Sequence, residues 1–72
     1  MNVYVVMVSM RGDETSEVKA VCSSKAKAVD RVNEIIAEGG EFEFYGTSAP
    51  FSQVWGSEDV LIEVKEMVVD GP

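Results

Sequence analysis

The chain has 72 residues, enough for one domain, and its 46% hydrophobic and 26% charged residues are typical of a folded protein. It contains no histidine and a single cysteine, which excludes Ser-His-Asp and Cys-His catalytic groups, most zinc sites, internal disulfides and redox cysteine pairs. Its net charge of −7 disfavours direct binding to nucleic acid or to an anionic membrane.

The charge is unevenly distributed along the chain. Residues 1–33 hold five basic and four acidic side chains, whereas residues 34–72 hold nine acidic side chains and only one basic one, Lys65. This asymmetry predicts a negative field over the second half, which would attract basic protein surfaces. The alternative, in which the acidic charge only keeps the protein soluble, stays open.

The N-terminal segment does not resemble an export signal, because no basic residue precedes its apolar stretch. The apolar stretch is also too short to span a bilayer. Together with the lone cysteine, these features favour a reducing, cytoplasmic location.

Three elements are predicted in the first third of the chain. Residues 2–10 are β-branched and apolar on both alternating faces, which is typical of a central strand buried on both sides. Residues 11–14 contain Gly12 and predict a hairpin turn. Residues 15–22 alternate weakly and predict a half-buried edge strand, with Val18, Ala20 and Cys22 on its inner face.

A helix is predicted from an N-cap at Ser23 or Ser24 to Glu38, and the pair Gly39-Gly40 ends it. Its apolar residues form one stripe: Ala28, Val29, Val32, Ile35 and Ile36. The lysines near its start and the glutamate near its end oppose the helix dipole. We therefore expect this helix to depend on packing against a sheet.

The second half has a less regular pattern. Residues 41–45 alternate and predict a short strand, which the sequence alone does not place in or out of the sheet. Residues 46–57 contain two glycines, a proline and several serines, and predict a loop. Residues 58–69 predict a final strand with Val60, Ile62 and Val64 on one face, and residues 70–72 predict a tail.

These elements predict an α+β fold of order β-β-α-(β)-β, in which one helix covers one face of an antiparallel sheet of three or four strands. The strand at 2–10 lies between its hairpin partner and the final strand. Because that strand is apolar on both faces, its second face must also be covered. Either the segment 41–57 folds over it, or a second copy or a partner protein does.

Little catalytic chemistry remains after these exclusions. The chain lacks GxGxxG and GxxxxGK[ST] loops that bind phosphates. The carboxylates of Glu41 and Glu43, and of Glu58 and Asp59, are interpreted as solvated charges, and we predict no catalytic residue, metal or cofactor. Cys22 precedes the helix, where a thiol can be activated, but strand alternation favours a buried, inert side chain.

Five of the six aromatic residues lie within residues 42–55, interleaved with acidic residues. They either plug the second sheet face or form an exposed surface that binds a basic protein, since aromatic side chains dominate binding hot spots. On the second interpretation the partner-binding residues are Glu41, Glu43, Tyr45, Phe51, Trp55, Glu58 and Asp59.

The stretches Val3-Tyr4-Val5-Val6 and Val21-Cys22-Ser23-Ser24-Lys25-Ala26-Lys27-Ala28 resemble small uncharacterised phage and bacterial proteins, which open with a hairpin and continue into a serine-capped helix. This resemblance covers roughly the first forty residues and implies no functional residues. In size and charge the chain also resembles phage-encoded inhibitors of host defence, such as anti-CRISPR proteins. That resemblance implies an inhibitor without naming its target.

The leading hypothesis is a non-enzymatic, phage-encoded inhibitor that blocks a basic, nucleic-acid-binding surface of a host protein by steric and electrostatic occlusion. The alternative is a structural or homodimeric protein that pairs through an exposed sheet face. A third hypothesis, a minimal enzyme or metal-binding domain built on carboxylates, would require several oxygen ligands to converge.

Overall fold

The computed structural model describes residues 1–13, 15–48 and 51–69, which form one helix and five strands. The strands are β1 (Asn2–Met10), β2 (Glu17–Cys22), β3 (Glu43–Ser48), β4 (Ser52–Gly56) and β5 (Val60–Val68), and the helix is α1 (Lys25–Gly39). All strands pair antiparallel in the order β2-β1-β5-β4-β3. The predicted α+β fold is confirmed, with more strands than expected. The predicted tail at 70–72 lies outside the described residues.

The core lies between α1 and one face of the sheet, here called the helix face. Val6, Ile62 and Val64 from the two central strands are fully buried there against Ala28 and Val32 of α1. These residues belong to the predicted helical stripe and to the alternating faces of β1 and β5. Ile35 and Ile36 extend the same contact.

The helix begins and ends where the sequence predicted. The Ser24 hydroxyl accepts a hydrogen bond from the Lys27 backbone N–H at 3.2 Å, which identifies Ser24 as the N-cap. Gly40 ends the helix with a positive φ of 102°, a conformation that glycine adopts without steric penalty. The first turn contains no acidic residue and the last turn no basic one, so packing rather than the dipole stabilises α1.

The predicted loop at 46–57 is wrong over most of its described length. Residues 43–48 and 52–56 form the β3–β4 hairpin, and β4 pairs with β5 from Ser52–Lys65 to Gly56–Leu61. The glycines and serines of this segment are local loop signals, but pairing with a long neighbouring strand outweighs them. Pro50 lies outside the described residues.

Because the hairpin extends the sheet sideways, the segment 41–57 does not fold over the second face of the sheet, and that predicted alternative is wrong. The face opposite α1 is here called the open face. It carries Val3, Val5 and Met7 of β1, and no described element packs across it.

A register shift in the β1–β2 ladder changes the predicted face of one residue. Ala20 pairs with Val6 and Cys22 with Tyr4 on the helix face, but Val18 pairs with Met7. Val18 therefore lies on the open face, 56% exposed, rather than with Ala20 and Cys22. A bulge inserts one residue and so reverses the alternation beyond it.

Candidate functional site

The acidic residues predicted for partner binding gather at one end of the sheet. The segment after α1 supplies Glu41, and the turn between β4 and β5 supplies Glu58 and Asp59. Arg11, at the end of β1, joins this turn through a hydrogen bond of 2.8 Å from its backbone N–H to the Asp59 carbonyl. The antiparallel pairing of β1 with β5, which brings Met10 opposite Val60, fixes this arrangement.

The turn itself is well defined. The Ser57 backbone N–H donates to the Val60 carbonyl at 2.8 Å, and the Val60 N–H donates to the Ser57 hydroxyl at 3.1 Å. A serine side chain that replaces a backbone acceptor in this way is a common turn-stabilising contact. It presents the exposed carboxylates of Glu58 and Asp59 at the tip of the turn.

These elements line an open groove of about 820 Å³, here called the acidic groove. Its apolar floor comes from Ile36 and Phe42, and its remaining lining residues are Arg11, Gly40, Glu41, Glu43, Tyr45, Gly56, Ser57 and Glu58. A second depression of about 470 Å³ adjoins it and adds Asp59. The acidic groove thus combines carboxylates, an aromatic ring and an apolar floor.

Tyr45 is positioned in the groove by a bulge and by a glycine. The register of β3 on β4 shifts between Phe44 and Gly46, which leaves Tyr45 unpaired in the ladder. Its ring lies over Gly56, where an added Cβ would overlap with Tyr45 Cε2. Glycine at position 56 therefore permits this close approach, while the Tyr45 side chain remains 51% exposed.

Arg11 holds Tyr45 in place. Its guanidinium donates a hydrogen bond from Nη2 to the Tyr45 hydroxyl and one from Nε to the Ser57 carbonyl at 2.8 Å. The guanidinium carbon lies 5.8 Å from the centroid of the Tyr45 ring. The cation thus connects β1, β3 and the β4–β5 turn beside the carboxylates.

Phe51 is not available as a surface contact, which corrects its predicted role. Its side chain is only 9% exposed and belongs to the core. The Tyr4 ring meets it edge-to-face at 5.9 Å between centroids, and Lys25 Nζ lies 4.6 Å from its ring centroid. A turn residue was expected to be exposed, but this ring fills the space between β1 and the start of α1.

Trp55 lies apart from the acidic groove as well. It pairs with Ile62 on the helix face, packs against the core and is half-buried. Its neighbour Phe44, 52% exposed, lies 5.3 Å away between ring centroids. The structure therefore brings Glu41, Glu43, Tyr45, Glu58 and Asp59 together, and separates Phe51 and Trp55 from them.

Sequence reasoning missed Arg11 and the groove floor. Arg11 was assigned only to a turn, and the register that pairs Met10 with Val60 is what places it beside Glu58 and Asp59. Phe42 packs against the core while also lining the groove. Cys22 is half-buried on the core side of β2.

Within residues 1–13, 15–48 and 51–69, no three acidic or cysteine side chains converge as metal ligands would. The described part of the chain also contains no helix of the length and apolarity that crossing a bilayer requires. Comparison with known protein families, curated proteins and solved structures finds no match.

Proposed function

We propose that the protein is a non-enzymatic binding protein that covers a basic, nucleic-acid-binding surface of a host protein with its acidic groove. The single observation that carries this proposal is that Glu41, Glu43 and Glu58 line one groove with the exposed ring of Tyr45, and that Asp59 lines the adjoining depression. The proposed site omits Phe51 and Trp55.

Charge supports this assignment. The four carboxylates outnumber the single cation of the groove, Arg11, whose guanidinium is engaged by Tyr45 and Ser57. Acidic side chains on a basic surface occupy positions that phosphate groups would otherwise take. The net charge of −7 would also accelerate the encounter with a basic partner.

The shape of the acidic groove also supports the proposed function. A rigid aromatic ring that is already held by Arg11 loses little conformational freedom when it binds, so Tyr45 suits the role of an anchor. Ile36 and Phe42 offer an apolar floor for the aliphatic stems of lysine or arginine side chains. In this proposal the protein acts in the cytoplasm of a host cell, as a phage-encoded inhibitor would.

The test compares two charge reversals that change the net charge equally. Glu58→Lys alters the acidic groove, whereas Asp30→Lys alters the exposed side of α1. The parent and both variants are immobilised, incubated with bacterial lysate, and washed with duplex DNA to release proteins held through their DNA-binding surfaces. We expect Glu58→Lys to reduce the DNA-released fraction about tenfold or more, and Asp30→Lys to retain it.

Equal loss in both variants would show that only net charge matters and would contradict a defined site. The absence of any DNA-released protein from the parent would contradict the proposed function itself. Circular dichroism spectra of the variants confirm that each remains folded before the comparison is made.

A further inference from the structure

The open face of the sheet is predominantly apolar. The strand registers place eight apolar residues there, Val3, Val5, Met7, Val18, Val21, Val54, Leu61 and Met67, together with the polar residues Ser9, Ser48 and Ser52. Val18, Val21 and Met67 are 56%, 62% and 46% exposed. A contiguous apolar surface of this kind in a small acidic protein marks an interaction site.

Two charges lie at the centre of this apolar face. β5 is the middle strand of five, and Val64 is the middle residue of β5. Glu63 and Lys65 flank Val64 and project to the open face, where they pair across the ladder with Met7 and Val5. The Ser52 hydroxyl donates a hydrogen bond to the Glu63 carboxylate at 2.9 Å, which holds the acid in position.

We propose that a second copy of the chain packs on the open face, related by a two-fold axis that passes beside Val64. In this arrangement Glu63 of each copy contacts Lys65 of the other, and the surrounding apolar side chains of the two sheets meet. The interface is isologous, as in most soluble homodimers. The proposal does not rest on the proposed function, although the Tyr45 ring of the acidic groove lies over Gly56, beside Leu61 on this same side of the sheet.

The charges also determine the relative direction of the two sheets. If the two β5 strands ran parallel, Glu63 would meet Glu63 and Lys65 would meet Lys65. When the strands run antiparallel, both contacts join opposite charges. A like-charge contact in a desolvated interface is strongly unfavourable, so the antiparallel arrangement is selected. Buried pairs of this kind fix register more than they add affinity.

The size of the face is adequate for a dimer. The five strands contain 9, 6, 6, 5 and 9 residues. At roughly 3.3 Å per residue and about 4.8 Å between strands, they give a footprint of about 550 Å². Stable interfaces bury about 800 Å² of accessible surface on each partner, and a corrugated sheet face presents more accessible surface than its flat footprint. Sheets that pack face to face in this way form the interiors of β-sandwiches.

The test is a charge swap followed by sedimentation velocity. We expect the parent to sediment as a dimer at roughly 100 μM. Lys65→Glu alone and Glu63→Lys alone each convert both symmetric contacts into repulsions, and should raise the dimer dissociation constant on the order of 10–100-fold. The double variant Glu63→Lys/Lys65→Glu restores opposite charges and should recover most of the dimer affinity.

Lys27→Glu, a charge change on the exposed surface of α1, is the matched control and should leave the dimer intact. A parent that is monomeric at that concentration would overturn the proposal. So would a dimer that both single reversals leave unchanged, since pairing through the outer edges of β2 or β3 would not involve Glu63 or Lys65.

This experiment is separable from the test of the acidic groove. Glu58→Lys should sediment like the parent, and Lys65→Glu should still capture proteins that DNA releases. Far-UV circular dichroism and the urea midpoint at low protein concentration establish that the monomers of both single variants are folded.

Discussion

At the residue scale, Tyr4 is a side chain whose protonation is coupled to the fold. Its hydroxyl donates a hydrogen bond of 2.6 Å to the Glu66 carboxylate across the β1–β5 ladder. This hydrogen bond, desolvation and the negative charge of Glu66 all raise the pKa of Tyr4 above its ordinary value of 10.0. The folded state therefore holds the Tyr4 proton more tightly than the unfolded state does.

A raised pKa in the folded state stabilises the protein below the unfolded pKa, and this contribution is lost as the pH rises through the folded value. We expect the free energy of unfolding to fall as the pH increases above about 10, and Tyr4→Phe to reduce this alkaline slope. Urea denaturation of the parent and of Tyr4→Phe from about pH 8 to about pH 11 measures this slope.

Glu66→Gln provides an independent check that Glu66 causes the raised pKa of Tyr4. In a Tyr45→Phe background, where Tyr4 is the only tyrosine, tyrosinate absorbance should show a lower Tyr4 pKa once the carboxylate is removed. Identical alkaline slopes for the parent and Tyr4→Phe would contradict the role given to this hydrogen bond.

At the element scale, the β3–β4 hairpin contributes one buried ring and one exposed ring of the same type. Phe51 is 9% exposed and Phe44 is 52% exposed, and each contacts another aromatic side chain. Phe51 is therefore a residue of the core, whereas Phe44 contributes to stability only through an aromatic pair at the surface.

We expect Phe51→Ala to cost about 3–5 kcal/mol of unfolding free energy, because it leaves a cavity between β1 and α1. Phe44→Ala should cost about 1 kcal/mol, the usual magnitude for an exposed aromatic pair. Chemical denaturation of the two variants in parallel gives both values. Similar losses for the two alanine variants would mean that Phe51 does not occupy the core.

Elements with strong local signals were predictable from the sequence. β1 was predicted at its observed bounds because its apolar pattern is unbroken, and α1 because a serine cap, an apolar stripe and a glycine stop agree. The β3–β4 hairpin was not predictable from the sequence, because Gly46 and Gly56 are local loop signals. Only pairing with β5 makes this segment form strands.

The candidate site was predictable in part for the same reason. Glu58 and Asp59 were expected as solvated charges at the start of the final strand, and the structure places them, exposed, in the turn just before β5. The burial of Phe51 depends on α1 and β1, which are distant in sequence, and the exposure of Val18 depends on a bulge that no local pattern shows. Packing between distant segments therefore decided the residues that sequence alone misplaced.

At the scale of the whole molecule, uncompensated negative charge opposes folding. The molecule measures 41 × 25 × 20 Å, and the Debye length is about 30 Å at 0.01 M salt but about 3 Å at 1 M. At low ionic strength most charges on the molecule therefore repel one another, whereas at high ionic strength only neighbouring charges interact.

We expect the melting temperature to rise by several degrees when sodium chloride is increased from about 0.01 M to about 0.5 M, because screening weakens this repulsion. Circular dichroism melts at low protein concentration measure the shift. Asp30→Lys, which lowers the magnitude of the net charge, should show a smaller salt response. A melting temperature that falls with salt would indicate that attractive ion pairs dominate instead.

The pairing of β1 with β5 also constrains how the chain can fold during its own synthesis. These strands form the centre of the sheet, yet their register joins Asn2 to Val68 and Met10 to Val60. On the ribosome, β1 and α1 emerge long before the strand that completes their core. The central ladder forms only when β5 has left the exit tunnel, so the folding step that completes the core waits for this strand and carries the entropy cost of closing a long loop.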